Sequence, residues 1–132
     1  MNNLRTSLFC FVLALPLALG ALVPSQGLRA NPAAFVSVVA DLPLMAGLEE
    51  DASAAVVFET ASGRIAQAVA SGEVEAHRVR EYYAATLPEL GWHLETLDRY
   101  RREGELLALE ITTDKARPGW VDVHFRLAPA TP

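Results

Sequence analysis

The chain contains one cysteine, Cys10, in 132 residues. A single thiol builds neither a disulfide framework nor a thiolate zinc site. Lysine is almost missing too: Lys115 stands against ten arginines, and the 11 basic residues are outnumbered by 16 acidic ones. A net charge of −5 argues against nucleic acid as a partner, since that affinity comes from clustered cations that neutralise phosphates. There is no G-x-S-x-G, no H-E-x-x-H, no C-x-x-C and no phosphate-cradling glycine loop. Ser53, Ser62 and Ser71 have no context that marks an activated nucleophile. Internal repeats and low-complexity tracts are lacking as well. What the chain does have is apolar mass. At 52% hydrophobic and 20% charged it can offset chain entropy, unlike a disordered acidic tail. Its length allows one domain.

The first thirty residues differ in kind from the rest. Arg5 and the free amino group precede residues 8–23, LFCFVLALPLALGALV, which carry no charge. A short positive region, an apolar run and then small residues are the layout of a secretory signal. At ~1.5 Å per residue the run covers about 24 Å, short of the ~30 Å hydrocarbon core, and Pro16 and Gly20 weaken it further. Residues 1–30 are therefore expected to be a cleaved signal peptide, with the cut between positions 20 and 30. The alternative is an uncleaved anchor that holds the protein in the inner membrane by residues 8–23. Cys10 lies inside the apolar run, where lipid-modifying machinery does not act. Cleavage at Ala30 removes Arg5, Arg29 and Cys10, leaving 9 basic and 16 acidic residues and a net charge of −7. A cysteine-free anionic product suits an oxidising compartment and avoids anionic lipid. The expected location is the periplasm or the exterior, and the excess of Arg over Lys fits a GC-rich bacterial gene.

Residues 31–48 are apolar but broken by Pro32 and Pro43, so they read as a linker or an extended arm laid on the domain. Glu49, Glu50 and Asp51 read as a solvated turn. Residues 54–60 and 64–70 flank Ala61-Ser62-Gly63 and predict a hairpin. In residues 75–90, Ala76, Val79, Tyr83, Leu87 and Leu90 recur at spacings of three and four, which gives a helix one apolar face. Pro88 and Gly91 close it. Three strands follow: 92–101, 105–113 after the tight turn at Glu103-Gly104, and 120–127. Pairing Arg102 with Glu105, and Leu109 with Val123, puts Leu107, Leu109, Ile111, Val121, Val123 and Phe125 on one face. Asp98 falls on that face and belongs at an edge or near a bulge. The expected fold is α+β: a small two-layer sandwich over residues 49–129, an antiparallel sheet covered by one helix, in the order β-β-α-β-β-β.

In these registers the opposite face collects Arg99, Glu110, Asp122, His124 and Arg126, with Glu110 directly facing Asp122. Opposed carboxylates repel, and a divalent cation on Glu110, Asp122 and His124 would relieve them. So would Arg99 and Arg126 on an ordinary solvated sheet face, which is the simpler account. His93 lies two strands from His124, too far to share a ligand easily, and His77 has no second histidine at the i+4 spacing. No cofactor is called for. Candidate partner contacts are Arg64, placed after the hairpin turn beside Glu59 or free to present its fork to a carboxylate, and the aromatics Tyr82, Trp92 and Trp120.

Residues 80–92, REYYAATLPELGW, carry a likeness. From about 41 to 129 the chain resembles a loose group of small exported bacterial proteins and lipoproteins, in which a helix with paired aromatics runs into Gly-Trp at the start of a strand. The group has no assigned activity, so the resemblance carries over no catalytic residue. The chain departs from its lipoprotein members in lacking their lipid-attachment cysteine. The sequence thus points to an exported, non-enzymatic envelope protein that acts by contact with another protein, as an accessory subunit or binding module. A small metal-dependent or hydrolytic enzyme and a membrane-anchored subunit are the alternatives.

Overall fold

The computed structural model describes residues 34–130. The apolar leader, its cleavage points and residues 31–33 lie outside the described residues. Seven strands form one antiparallel sheet: β1 (Glu49–Glu50), β2 (Val56–Thr60), β3 (Gly63–Gly72), β4 (His93–Thr96), β5 (Arg99–Arg102), β6 (Glu105–Thr113) and β7 (Val121–Pro129). The helix α1 (Ala76–Glu89) links β3 to β4. The strand order is β1-β3-β7-β6-β5-β4, and β2 shares with β1 the edge of β3 that faces away from β7. The class is α+β, as the sequence pattern predicts. Among the described residues, no helix is long and apolar enough to cross a membrane.

Alternation decides which face is covered. Ala66, Ala68 and Ala70 on β3, Val121, Val123, Phe125 and Leu127 on β7, Leu107 and Leu109 on β6, and Tyr100 on β5 are all buried on one side of the sheet. The helix lays Val79, Tyr83 and Leu87 on that side, each four residues from the next and buried. Ala76 and Leu90 flank this stripe half-buried. Tyr83 meets Phe125 edge to face, with ring centroids 5.4 Å apart and planes at 79°. The helix stops before Gly91, as expected, but it runs through Pro88 to Glu89 and is not closed by the proline. The Gly91 N–H donates to the Pro88 carbonyl at 3.0 Å, the Trp92 N–H donates to Leu87 at 3.0 Å, and Gly91 takes φ +82°. Trp92 then turns into the core with 1% of its surface exposed.

Of the two readings of this segment the arm holds for residues 34–48, which pack on the domain and add to its core, but the arm is folded by turns and not extended. The Val36 N–H donates to Leu42 at 2.9 Å, the Leu44 N–H donates to Ala34 at 2.7 Å, and Phe35 bridges Pro43. This folded arm buries Val36, Val38, Val39 and Leu42 to 2% exposure or less. Pro32 and Pro43 erase any periodicity, so the pattern hides how apolar contacts with distant residues hold the arm. The acidic triplet is also more than a turn. Glu49 and Glu50 pair with Ser71 and Ala70, and Glu50 accepts the N–H and hydroxyl of Ser37.

Two registers need correction. The strand expected over residues 92–101 is two strands, because the chain reverses at Leu97-Asp98, where Asp98 takes φ +57° and Arg80 holds its carboxylate at 3.0 Å. Continuing the Arg102–Glu105 register past that reversal would set Thr96 opposite Ile111 and Leu94 opposite Thr113; instead Thr96 pairs with Arg99 and Leu94 with Tyr100. Tyr100 does face Leu107 and Arg102 does face Glu105. Between β6 and β7 the register is shifted by two: Leu109 faces Phe125, and Ile111 faces Val123. A shift of two keeps every side chain on its expected face.

The arm is fastened at two points. The Tyr83 hydroxyl accepts the Met45 N–H at 3.2 Å and donates to the Pro43 carbonyl at 3.4 Å, and burial pushes its phenol well above the ordinary value. The Arg102 guanidinium forks onto the Asp41 carboxylate, donates to the Leu90 carbonyl at 2.9 Å and lies 4.4 Å from the centroid of the Trp92 ring. The hydrogen bonds from Arg102 hold Asp41 below the ordinary carboxylate range. Since the folded value is under the unfolded one, this pair contributes stability above the unfolded value, and the contribution fades as pH falls through the folded one. In Asp41→Asn, urea melts at pH 7 should show a loss of about 0.5–1 kcal/mol, modest because the carboxylate is half exposed. The variant should also decline less than wild type below about pH 4.

Gly72 is needed for a different reason. A Cβ there would lie 2.0 Å from the Gly47 carbonyl oxygen, which is backbone and has no rotamer in which to retreat. Gly72→Ala is expected to cost at least about 2 kcal/mol in a denaturant melt, by forcing β3 away from the arm.

Candidate functional site

The helix and the arm cover one face of the sheet, and nothing among the described residues packs over the other. That open face carries the even-numbered residues of β6 and β7 and the odd-numbered ones of β3 and β5. Its rows follow from the pairing: Thr112–Asp122–Ser71, then Glu110–His124–Val69, then Arg99–Ala108–Arg126–Gln67–Val56. Beyond these lie Arg101–Leu106–Ala128 and, on the hairpin, Ile65–Phe58.

The polar end of this face is balanced within the domain. Glu110 faces His124, not Asp122, so the expected opposition of two carboxylates does not arise. The Glu110 carboxylate instead meets the Arg126 guanidinium at 3.0 Å. Asp122 accepts the Ser71 hydroxyl at 2.8 Å, and Arg117 lies 3.6 Å away. Among the described residues no group of three His, Cys, Asp or Glu is placed to hold a metal ion. The two-residue register shift sets Glu110 opposite His124 and moves Asp122 into the next row, beside Thr112 and Ser71. His124 Nδ1 is buried without a hydrogen-bond partner, between Val69 and Glu110.

The other sequence candidates divide. Arg64 reaches Glu105 at 3.4 Å and leaves Glu59, its cross-strand neighbour, aside. Trp92 is buried under Arg102 and presents no surface to a partner. Tyr82 is half-buried, edge-on to Tyr83 at 5.0 Å, and so belongs to the packing of the helix. Trp120 is half-buried beneath the Arg117 guanidinium at 4.3 Å. These aromatics do not gather into the contact patch that the sequence suggested. A shallow depression of about 520 Å³ lies between Asp41, Gly91, His93 and Arg102, and the arginine in it is already engaged by the arm.

The feature that sequence reasoning missed is the apolar end. Phe58 is 62% exposed, Val57 51%, Ile65 44% and Val56 40%. All five residues of β2 are exposed, since the strand projects past both the helix and the arm. A signal was present: residues 54–60, AAVVFET, do not alternate apolar with polar, as a half-buried strand would. Exposed apolar residues that cluster, rather than scatter, mark contact surfaces. No family model, curated protein or solved structure matches the chain.

The exposure of β2 fixes what its substitution does alone. Phe58→Ser is expected to move the unfolding free energy by less than about 0.5 kcal/mol, whereas Phe125→Ala in the core loses ~3–5 kcal/mol, both read from chemical denaturation.

Proposed function

We propose that this is an exported envelope protein of bacteria that acts by contact with another protein and carries out no reaction of its own. The observation that carries this reading is the unbalanced open face. Its ionisable end is neutralised by pairs inside the domain, while Phe58, Val56 and Ile65 lie uncovered at the other. Charged groups already satisfied at home offer a substrate or a metal little. Uncovered apolar side chains gain by leaving water, roughly 25 cal/mol for each Å² removed from it. Arg99 and Arg126 lie in the row beside this patch and supply a polar rim.

Export rests on the leader: one positive charge, sixteen uncharged residues and then small side chains. The likeness of residues 80–92 to small exported bacterial proteins supports the same compartment. The structure gives that motif a packing role, with Tyr83, Leu87 and Trp92 all buried.

The test pairs envelope extracts with chemical crosslinking. Wild-type protein is expected to yield an adduct with a second, different chain, identified by mass spectrometry. Ile65→Ser, which changes only the open face, should reduce that adduct at least several-fold. Absence of a different chain from every adduct, or an adduct indifferent to Ile65→Ser, would overturn the reading. The mass of the mature N-terminus decides between the free and the anchored form, since an intact start at Met1 or Asn2 means retention in the membrane.

A further inference from the structure

Among the described residues the sheet's edge strands are β4 on one side and, on the other, the two-residue β1 and the longer β2. β4 is defended: its register breaks between Leu94 and Thr96, and Glu95 in the middle of the strand is held by Arg101. Bulges and charges of this kind keep an edge from pairing. β2 has none of them. It runs in unbroken register against β3 from Val56 to Thr60, has no proline or lysine, and its one charge is Glu59.

Backbone parity shows what the edge offers. The Asp51 N–H donates to the Val69 carbonyl at 2.9 Å, so odd-numbered residues of β3 aim their backbone groups toward the β1 and β2 side. Ile65 therefore exchanges hydrogen bonds with Phe58, and alternation turns the N–H and C=O of Val57 and Glu59 outward. Two copies brought together by a two-fold axis must match outward groups to outward groups. Within a five-residue strand, the register that uses most of it centres the axis on Phe58. Val57 of each copy then exchanges hydrogen bonds with Glu59 of the other, and Val56 faces Thr60. The two Phe58 residues meet at a non-hydrogen-bonded position, where Cα atoms come to about 4.5 Å and side chains are closest.

We propose that the protein forms a symmetric dimer by antiparallel pairing of β2 with β2 of a second copy, centred on Phe58. The charges suit a second copy. The axis sets Glu59 opposite Val57, so no like charges face one another across the seam. The surplus of acidic residues acts at longer range and is screened by salt, so the dimer tightens as ionic strength rises. The two open faces become continuous, with the Phe58 pair at the centre. The inference goes beyond the partner reading, since Val57 lies on the face opposite Ile65 and the two can be changed separately.

Sedimentation velocity on the purified protein over a concentration series is expected to show monomer passing to dimer, shifted toward dimer by added NaCl. The register has its own signature. Val57→Lys places a cation opposite Glu59 of the other copy and should tighten the dimer about threefold or more, and Val57→Glu should weaken it by a similar factor. Val57 is 51% exposed, so both variants should keep the wild-type circular dichroism spectrum. In a Cys10→Ser background, Phe58→Cys should form a disulfide-linked dimer under mild oxidation much faster than Leu94→Cys on the other edge. A monomer at every concentration, growth beyond dimer, charge variants that do not move in opposite directions, or equal crosslinking at both edges would each overturn the proposal.

Discussion

A sheet has two faces, and among the described residues there are one helix and one short arm with which to cover them. That shortage governs the rest of the molecule. The covered face is alanine, valine, leucine and phenylalanine because the helix and the arm exclude water there. The uncovered face must live with water, and along most of its length it does so with paired charges and small side chains. Large exposed apolar residues occur singly at Phe35, Leu94 and Leu97, but on the open face they gather at the hairpin end, as Val56, Phe58 and Ile65. The functional reading grows from that exception.

The arm is held by few contacts of high quality. Arg102 serves three partners at once: the carboxylate of Asp41, the carbonyl that ends the helix and the face of Trp92. Tyr83 serves two more while packing on Phe125. Helix, arm and the β5 strand thus meet at two side chains. The arm has no hydrogen-bonded ladder of its own beyond its turns and the bridge from Phe35 to Pro43. Its attachment depends on this junction, on the bonds from Ser37 to Glu50 and on the apolar residues it buries.

Much of this was legible beforehand. Period two on β6 and β7 and period four on the helix identify their buried faces, because burial is what those periods record. Beside the exposed hairpin, three further features were not. The reversal at Leu97-Asp98 uses an aspartate in the left-handed region, which the sequence flags far more weakly than a glycine. The two-residue slip between β6 and β7 leaves the pattern unchanged, yet it decides that Glu110 meets His124 and Arg126 rather than Asp122. A site inferred from register is only as good as that register. The arm escaped for a third reason: its order comes from Tyr83 and Arg102, some forty and sixty positions along the chain, and no local pattern reports such distances.

The strand order has a consequence for the protein's birth. β7 is the last of the described strands to leave the ribosome, yet it lies in the interior of the sheet, between β3 and β6. Until it arrives, the N-terminal strands and the C-terminal meander have no shared seam, and the nascent polypeptide cannot close its sheet. A truncation before Val121 leaves two half-sheets, each with a raw edge.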